Sequence, residues 1–226
     1  MLTPFQEEVA RLLSQLPEAA GFALAGGAAL IVTGVVDRAT ADLDFFTQEA
    51  AAVARLAPAF ETAAFAAGMT LRPVQETAGF VRVEVARGDE RVEVDLGRDA
   101  RLWPLQMTRV GPAVGGDELA ADKTLALFGR AAARDYVDVH ALAQRYGEDR
   151  LVELAAAKDL GFIPAHLADA LSAIDRFDRE ELGVDDDQYR ALRTWAARWA
   201  QSLRMPERRL DDSRGHEFDD GPDIGL

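Results

Sequence analysis

No cysteine occurs in the 226 residues, which excludes disulfides and thiolate metal sites and fits a cytoplasmic protein. Histidine is almost as scarce. His140, His166 and His216 lie too far apart to suggest a cluster, and His140, on a helical stretch, reads as a capped or core residue. No run approaches the roughly eighteen continuous apolar residues of a membrane span. The N-terminal MLTPFQEEVARLL lacks a basic region ahead of an apolar one, so no signal peptide is expected. Positive charge is in deficit as well. At a net charge of −14, generic phosphate-driven nucleic-acid binding is disfavoured, and a nucleic-acid substrate would have to be met by a local basic patch. Part of that charge belongs to residues 205–226, which hold seven acids against three arginines. This tail is aperiodic and glycine-containing, and is expected to be disordered.

What is present is enough apolar surface for a sizeable core, at 49% hydrophobic. It is arranged around one stretch, AGGAALIVTGVVDRATADLDFF at 25–46. The short apolar run 22–25 suits a buried strand. It leads into Gly26-Gly27 and a helix-compatible 28–33. A loop with Arg38 and Thr40 then leads to a second strand carrying Asp42 and Asp44. Residues two apart on a strand share a side, so the two aspartates point together while Leu43 and Phe45 turn to the core. Paired carboxylates at that spacing suit Mg²⁺ or Mn²⁺. A glycine pair at a helix start exposes backbone N–H groups and the positive end of the helix dipole, which suits a phosphate. Either feature alone is ordinary, a tight turn or a solvated face. An anion cradle beside a cation clamp is what a nucleoside triphosphate needs.

Elsewhere, 5–16 places Phe5, Val9, Leu12, Leu13 and Leu16 on one helical face. Residues 49–68 read as a helix kinked or broken at Pro58 and stopped by Gly68. Three strands are expected at 69–75, 80–87 and 91–96, the last two joined by a turn at Gly88-Asp89. In 91–96, Val92, Val94 and Leu96 face the core, so Arg91, Glu93 and Asp95 face away. Residues 98–117 read as loop, and helices are expected at 118–133, 135–146, 149–158, 164–181 and 187–204, with Trp195 and Trp199 in the core. The expected organisation is an α/β core with an N-terminal helix over 1–117, a helical region completing the nucleotide site over 118–204, and the acidic tail. The fold class is α/β (α+β), a small mixed sheet flanked by helices.

Asp95 supplies a third acid on the polar face of a strand near Asp42 and Asp44, with Glu93 as a substitute on the same face. Three carboxylates from two neighbouring strands can bind two divalent ions. Asp95 on its own would read as a surface acid paired with Arg91 or Arg82. Steps of seven and four along one helix align Lys123, Arg130 and Arg134, provided Gly129 does not break that helix. The plain alternative is a solvated face on which Arg134 and Asp138 merely pair at i, i+4.

Gly26-Gly27, Arg38-x-Thr40-x-Asp42-x-Asp44, Asp95, Lys123, Arg130 and Arg134-Asp135-x-x-Asp138 together resemble the AbiEii-type nucleotidyltransferases of the polymerase-β-like superfamily, toxins of abortive-infection and toxin–antitoxin systems. The resemblance covers roughly residues 20–146. It implies two Mg²⁺ or Mn²⁺ ions held by Asp42, Asp44 and Asp95. It further implies nucleotide phosphates held by Gly26, Gly27, Arg38, Lys123, Arg130 and Arg134, and a last acid, Asp138, that orients the basic side chains or assists the nucleophile. The implied reaction moves a nucleoside monophosphate from a triphosphate such as ATP to an acceptor hydroxyl, with pyrophosphate leaving. The resemblance leaves the acceptor open: some relatives modify a tRNA 3′ end, the acidic charge offers a small cationic molecule of the aminoglycoside kind as the alternative, and an antitoxin partner is implied. A non-catalytic binding module on the same scaffold is the alternative. The superfamily's Ser after the first glycine and the frequent Thr after the second are replaced here by Gly27 and Ala28, so no side-chain hydroxyl is available there.

Overall fold

The computed structural model describes residues 1–205 apart from Ala50; the tail expectation lies almost wholly outside that range. One open mixed sheet of seven strands, ordered β3-β4-β5-β2-β1-β7-β6, is preceded by a helix and followed by a helical C-terminal half. Helix α1 (Pro4–Ser14) starts at a reciprocal cap, in which Thr3 Oγ1 accepts from Gln6 N and Gln6 Oε1 accepts from Thr3 N. The Gln6 amide also donates to the Thr40 carbonyl at 2.7 Å, so α1 holds the loop ahead of the two aspartates. Phe5, Val9 and Leu13 are buried, while Leu12 and Leu16 are only half covered.

Strand β1 (Ala23–Ala25) is followed directly by α2 (Gly26–Val32), and β2 (Asp42–Thr47) folds back antiparallel to β1, setting Ala25 opposite Asp44. Helix α3 (Ala52–Ala66) runs through Pro58 without ending there, and Gly68 stops it at a φ of +74°. Strands β3 (Thr70–Thr77), β4 (Phe80–Arg87) and β5 (Glu90–Arg98) form an antiparallel meander. Its last member lies parallel to β2, with Asp42 beside Glu93 and Asp44 beside Asp95. Parallel pairing in register keeps all four acids on one sheet face.

The expected loop at 98–117 contains two short strands, β6 (Leu105–Thr108) and β7 (Gly111–Val114). Pro112 and Gly111 hide the alternation, and β7 is recruited by parallel pairing with β1, a contact no local pattern shows. Helix α4 runs Gly116–Gly129, and α5 begins only at Ala133 and ends at Tyr146. The expected helix to 133 is therefore cut. Arg130 caps α4, and Ala131 takes a φ of +47°, the left-handed conformation that costs a non-glycine residue about 1 kcal/mol. Helix α6 (Glu148–Lys158) follows as expected. The anticipated helix at 164–181 is split into α7 (Pro164–Ser172), a 3₁₀ turn at Ala173–Arg176 and α8 (Arg179–Leu182), because Asp178 caps a new start. Helix α9 (Asp186–Arg204) buries Trp195 and Trp199. The apolar core is continuous from α1 to α9. No helix of the described residues is long and apolar enough to cross a membrane.

Candidate active site

The β1–α2 corner, the β2 strand and the α4–α5 region enclose a cavity of about 280 Å³, lined among others by Gly26, Gly27, Arg38, Asp42, Asp44, Lys123, Arg130 and Arg134. Nine of the residues singled out in the sequence, these eight and Thr40, thus converge. Asp95 and Asp138 do not reach its surface.

The glycines have a steric reason. Gly26 has a φ of +60°, and a Cβ there would sit 1.8 Å from Asp44 Oδ2. At Gly27 a Cβ would lie 2.9 Å from the Arg38 guanidinium. Both positions let charged side chains press against the backbone. The start of α2 carries no side-chain cap.

Asp42 and Asp44 line the cavity together. Asp42 Oδ1 accepts from Thr40 Oγ1 at 2.7 Å, and its Oδ2 is 3.6 Å from Arg134. Asp44 differs. Among the described residues no donor or cation is bonded to its carboxylate. Burial pushes its pKa up to about 6, and the neighbouring charges of Asp42 and Asp95 add to the rise. An ionised carboxylate beside two others in a half-buried wall is stable only with a counter-charge, and oxygen donors of this kind fit a divalent cation. Asp95 is 4% exposed and shares the face, but Arg82 grips both its oxygens at 2.6 and 2.5 Å. The expected pairing with Arg82 is real, although Asp95 is buried rather than on the surface. Among the described residues no three acidic or imidazole groups are gathered as a finished metal shell.

Asp138 is fully buried and takes Arg38 through two bonds of 2.8 Å and Lys123 at 3.0 Å. Burial alone would raise its pKa, and those two cations more than reverse the effect, holding it below the usual carboxylate range. It therefore has no i, i+4 partner in Arg134. It pairs with two cations, Arg38 and Lys123, that line the cavity. Arg130 is tied in the same manner, through two bonds of 2.9 and 2.8 Å to buried Asp135. Lys123, Arg130 and Arg134 do share the cavity, but from the middle of α4, the interhelical link and α5. The single helical face expected for them does not exist.

Phe46, Asp99 and Asp122 also line the cavity and were not identified from sequence. Asp122, adjacent to Lys123, is pushed up to about 6 by burial against the opposing pull of Lys158. His140 lies half-buried with its ring 4.9 Å from that of Trp195, away from this wall.

A family model described as the nucleotidyl transferase AbiEii toxin of type IV toxin–antitoxin systems matches residues 9–222. The chain belongs to the AbiEii family. It is a nucleotidyltransferase, and the binding-module reading falls. No curated protein sequence matches it. Among solved structures it is similar to JHP933 from Helicobacter pylori, at 20% identity and a TM-score of 0.55 over 90% of this chain and 93% of that one. It is also similar to MenT4, a nucleotidyltransferase toxin from Mycobacterium tuberculosis, at 16% identity and a TM-score of 0.59 over 87% and 82%. At these identities the likeness speaks for the fold. In this AbiEii chain Gly27 and Ala28 offer no side-chain hydroxyl at that corner, and the Arg38 guanidinium packs against Gly27.

Proposed function

We propose that the cavity binds a nucleoside triphosphate and transfers its nucleoside monophosphate to an acceptor hydroxyl. The bond from the acceptor oxygen to the α-phosphorus forms as the bond to the leaving pyrophosphate breaks. The observation that carries this reading is Asp44, a half-buried carboxylate with no bonded counter-ion among the described residues, beside Asp42 and across from Lys123, Arg130 and Arg134. Such a wall holds a cation and a polyanion together better than either alone.

Asp42 and Asp44, with Asp95 as the third acid, would hold the Mg²⁺ or Mn²⁺ ions, which supply phosphate charge neutralisation and an acidified attacking hydroxyl. Lys123, Arg130 and Arg134 meet the phosphate oxygens through charge-assisted hydrogen bonds. Arg38 and Lys123 are held in place by Asp138 before substrate arrives, so little side-chain ordering remains to be done on binding. Gly26 and Gly27 leave room for the polyphosphate to approach the backbone.

The acceptor is read as an RNA 3′ hydroxyl, such as a tRNA end, met by the local cations of an otherwise acidic chain. Asp99 and Asp122 at the cavity wall favour a second reading, a cationic small-molecule acceptor. Membership of a toxin–antitoxin family points to an antitoxin as the regulatory partner. The test is pyrophosphate release from each nucleoside triphosphate with Mg²⁺, first with total tRNA and then with cationic small molecules. Wild type should release pyrophosphate with one acceptor class only. The Asp42→Asn protein should lose about 10³-fold or more of the rate while melting like wild type; turnover retained in that variant removes the cation role of Asp42.

A further inference from the structure

Asp42 and Asp44 on β2 lie beside Glu93 and Asp95 on β5, and β4 sets Arg82 directly against Asp95. Four acids thus form a block on one sheet face, with Arg82 on its far side. Its guanidinium takes both Asp95 oxygens, at 2.6 and 2.5 Å. A bidentate pair of this geometry is among the strongest charge-assisted contacts. It also brings a full positive charge to the carboxylate that a second dication would need, and like charges at bonding distance repel.

Arg82 has somewhere else to go. Its Nε is 3.9 Å from Glu93 Oε2, on the half-exposed carboxylate two residues earlier on β5, and its guanidinium lies over the Phe80 ring. The side chain is 35% exposed and so not locked by packing. A short shift toward Glu93 would give Arg82 a second carboxylate and leave buried Asp95 without its cation, a charge that an incoming dication would have to compensate. Among the described residues Asp44 has no such competitor, which makes it unequal to Asp95.

We infer that Arg82 is a positioning residue that occupies Asp95 in the free chain, so that the cavity takes one divalent ion at Asp42 and Asp44 and gains a second only when Arg82 is transferred to Glu93. This rests on the metal-dependent reading above. Arg82 therefore makes completion of the metal set a regulated step and not a property of the folded chain. It acts through Asp95 and touches no reacting atom.

The test is Mn²⁺ binding to the full chain without nucleotide, followed by titration calorimetry and electron paramagnetic resonance. Wild type should bind about one ion and Arg82→Gln about two, with the second site in the variant tighter than in wild type by about tenfold or more. Adding Asp95→Asn to Arg82→Gln should return the count to that of wild type, whereas Asp95→Asn alone should leave the first ion's affinity within about twofold. Glu93→Gln removes the alternative partner and should weaken the second site further. If Arg82→Gln does not fold, Arg82→Lys keeps the charge but gives up the two-pronged grip, and should gain second-site affinity. Unchanged Mn²⁺ binding in a folded Arg82 variant, with only a lowered melting temperature, would make the pair a simple strut and overturn the inference while the proposed function stands. No Mn²⁺ bound by any of these proteins would overturn both.

Discussion

Asp44 is the residue on which the proposed metal-dependent transfer rests, and its environment sets a sign that can be measured. Its folded pKa of about 6 lies above the ordinary 3.8, chiefly from burial and then from Asp42 and Asp95. The native state therefore holds this proton more tightly than the unfolded chain does. The contribution to stability is full below about pH 3.8, is lost as pH rises through about 6, and leaves an ionised group that weakens the metal-free fold above that. Asp44→Asn keeps the shape and removes the charge. Without metal at pH 7.5 it should be more stable than wild type by on the order of 2 kcal/mol, and the gain should vanish toward pH 4. Transfer should be abolished in the same protein. Thermal melts at several pH values read this directly, and a less stable variant at pH 7.5 would mean that Asp44 already has a stabilising partner. The spacing of Asp42 and Asp44 was plain in the sequence because strand periodicity is local. That among the described residues Asp44 has no bonded partner while Asp95 has one was not, since Arg82 reaches Asp95 across a strand pairing set by the register of β4 and β5.

Among the elements, the junction of α4 and α5 shows how a correct grouping can come from an incorrect geometry. Residues 131–133 are all alanine, the best helix former, so local propensity argues for one helix through Arg130. The chain breaks there because buried Asp135 accepts from the Ala132 N–H at 3.0 Å and from Arg130 as well, starting α5 and fastening the end of α4 in one stroke. Asp135→Ala removes both. It should cost about 2 kcal/mol in denaturant unfolding, from the lost helix start and the freed guanidinium. It should also weaken triphosphate binding several-fold, as Arg130 loses its fixed position. Unchanged nucleotide affinity would separate Arg130 from the substrate. Strands β6 and β7 are not legible in the sequence for the complementary reason: Gly111 and Pro112 spoil the alternation, and the edge of β1 makes strand pairing worthwhile.

Across the whole molecule, Lys158 is a buried cation that ties the helical C-terminal half to the cavity wall. Lys158, at the end of α6, bonds Glu118 at 2.5 Å, bonds Asp122 and lies 3.6 Å from Asp99, with its side chain 9% exposed. The other Glu118 oxygen accepts from the Leu102 and Trp103 N–H groups at 2.9 Å each, so a single cluster joins α4, α6 and the segment after β5. Lys158→Met leaves buried acids without their counter-ion. It should cost about 3–5 kcal/mol and lower the melting temperature by roughly 10 °C. A shift of only a degree or two would show that Asp122 and Glu118 are compensated by another group. Because Asp122 lines the cavity, triphosphate binding should weaken in step with stability. The residue types, the carboxylate spacing on β2, the apolar alternation of β4 and β5 and the order of the basic residues were all determined by the sequence alone, because each follows from periodicity within one element. Which acid meets which cation was decided only by tertiary structure. Arg38 and Asp138 are 100 residues apart, and Asp95 and Arg82 belong to separate strands, so their pairing depends on register and packing that no local pattern encodes.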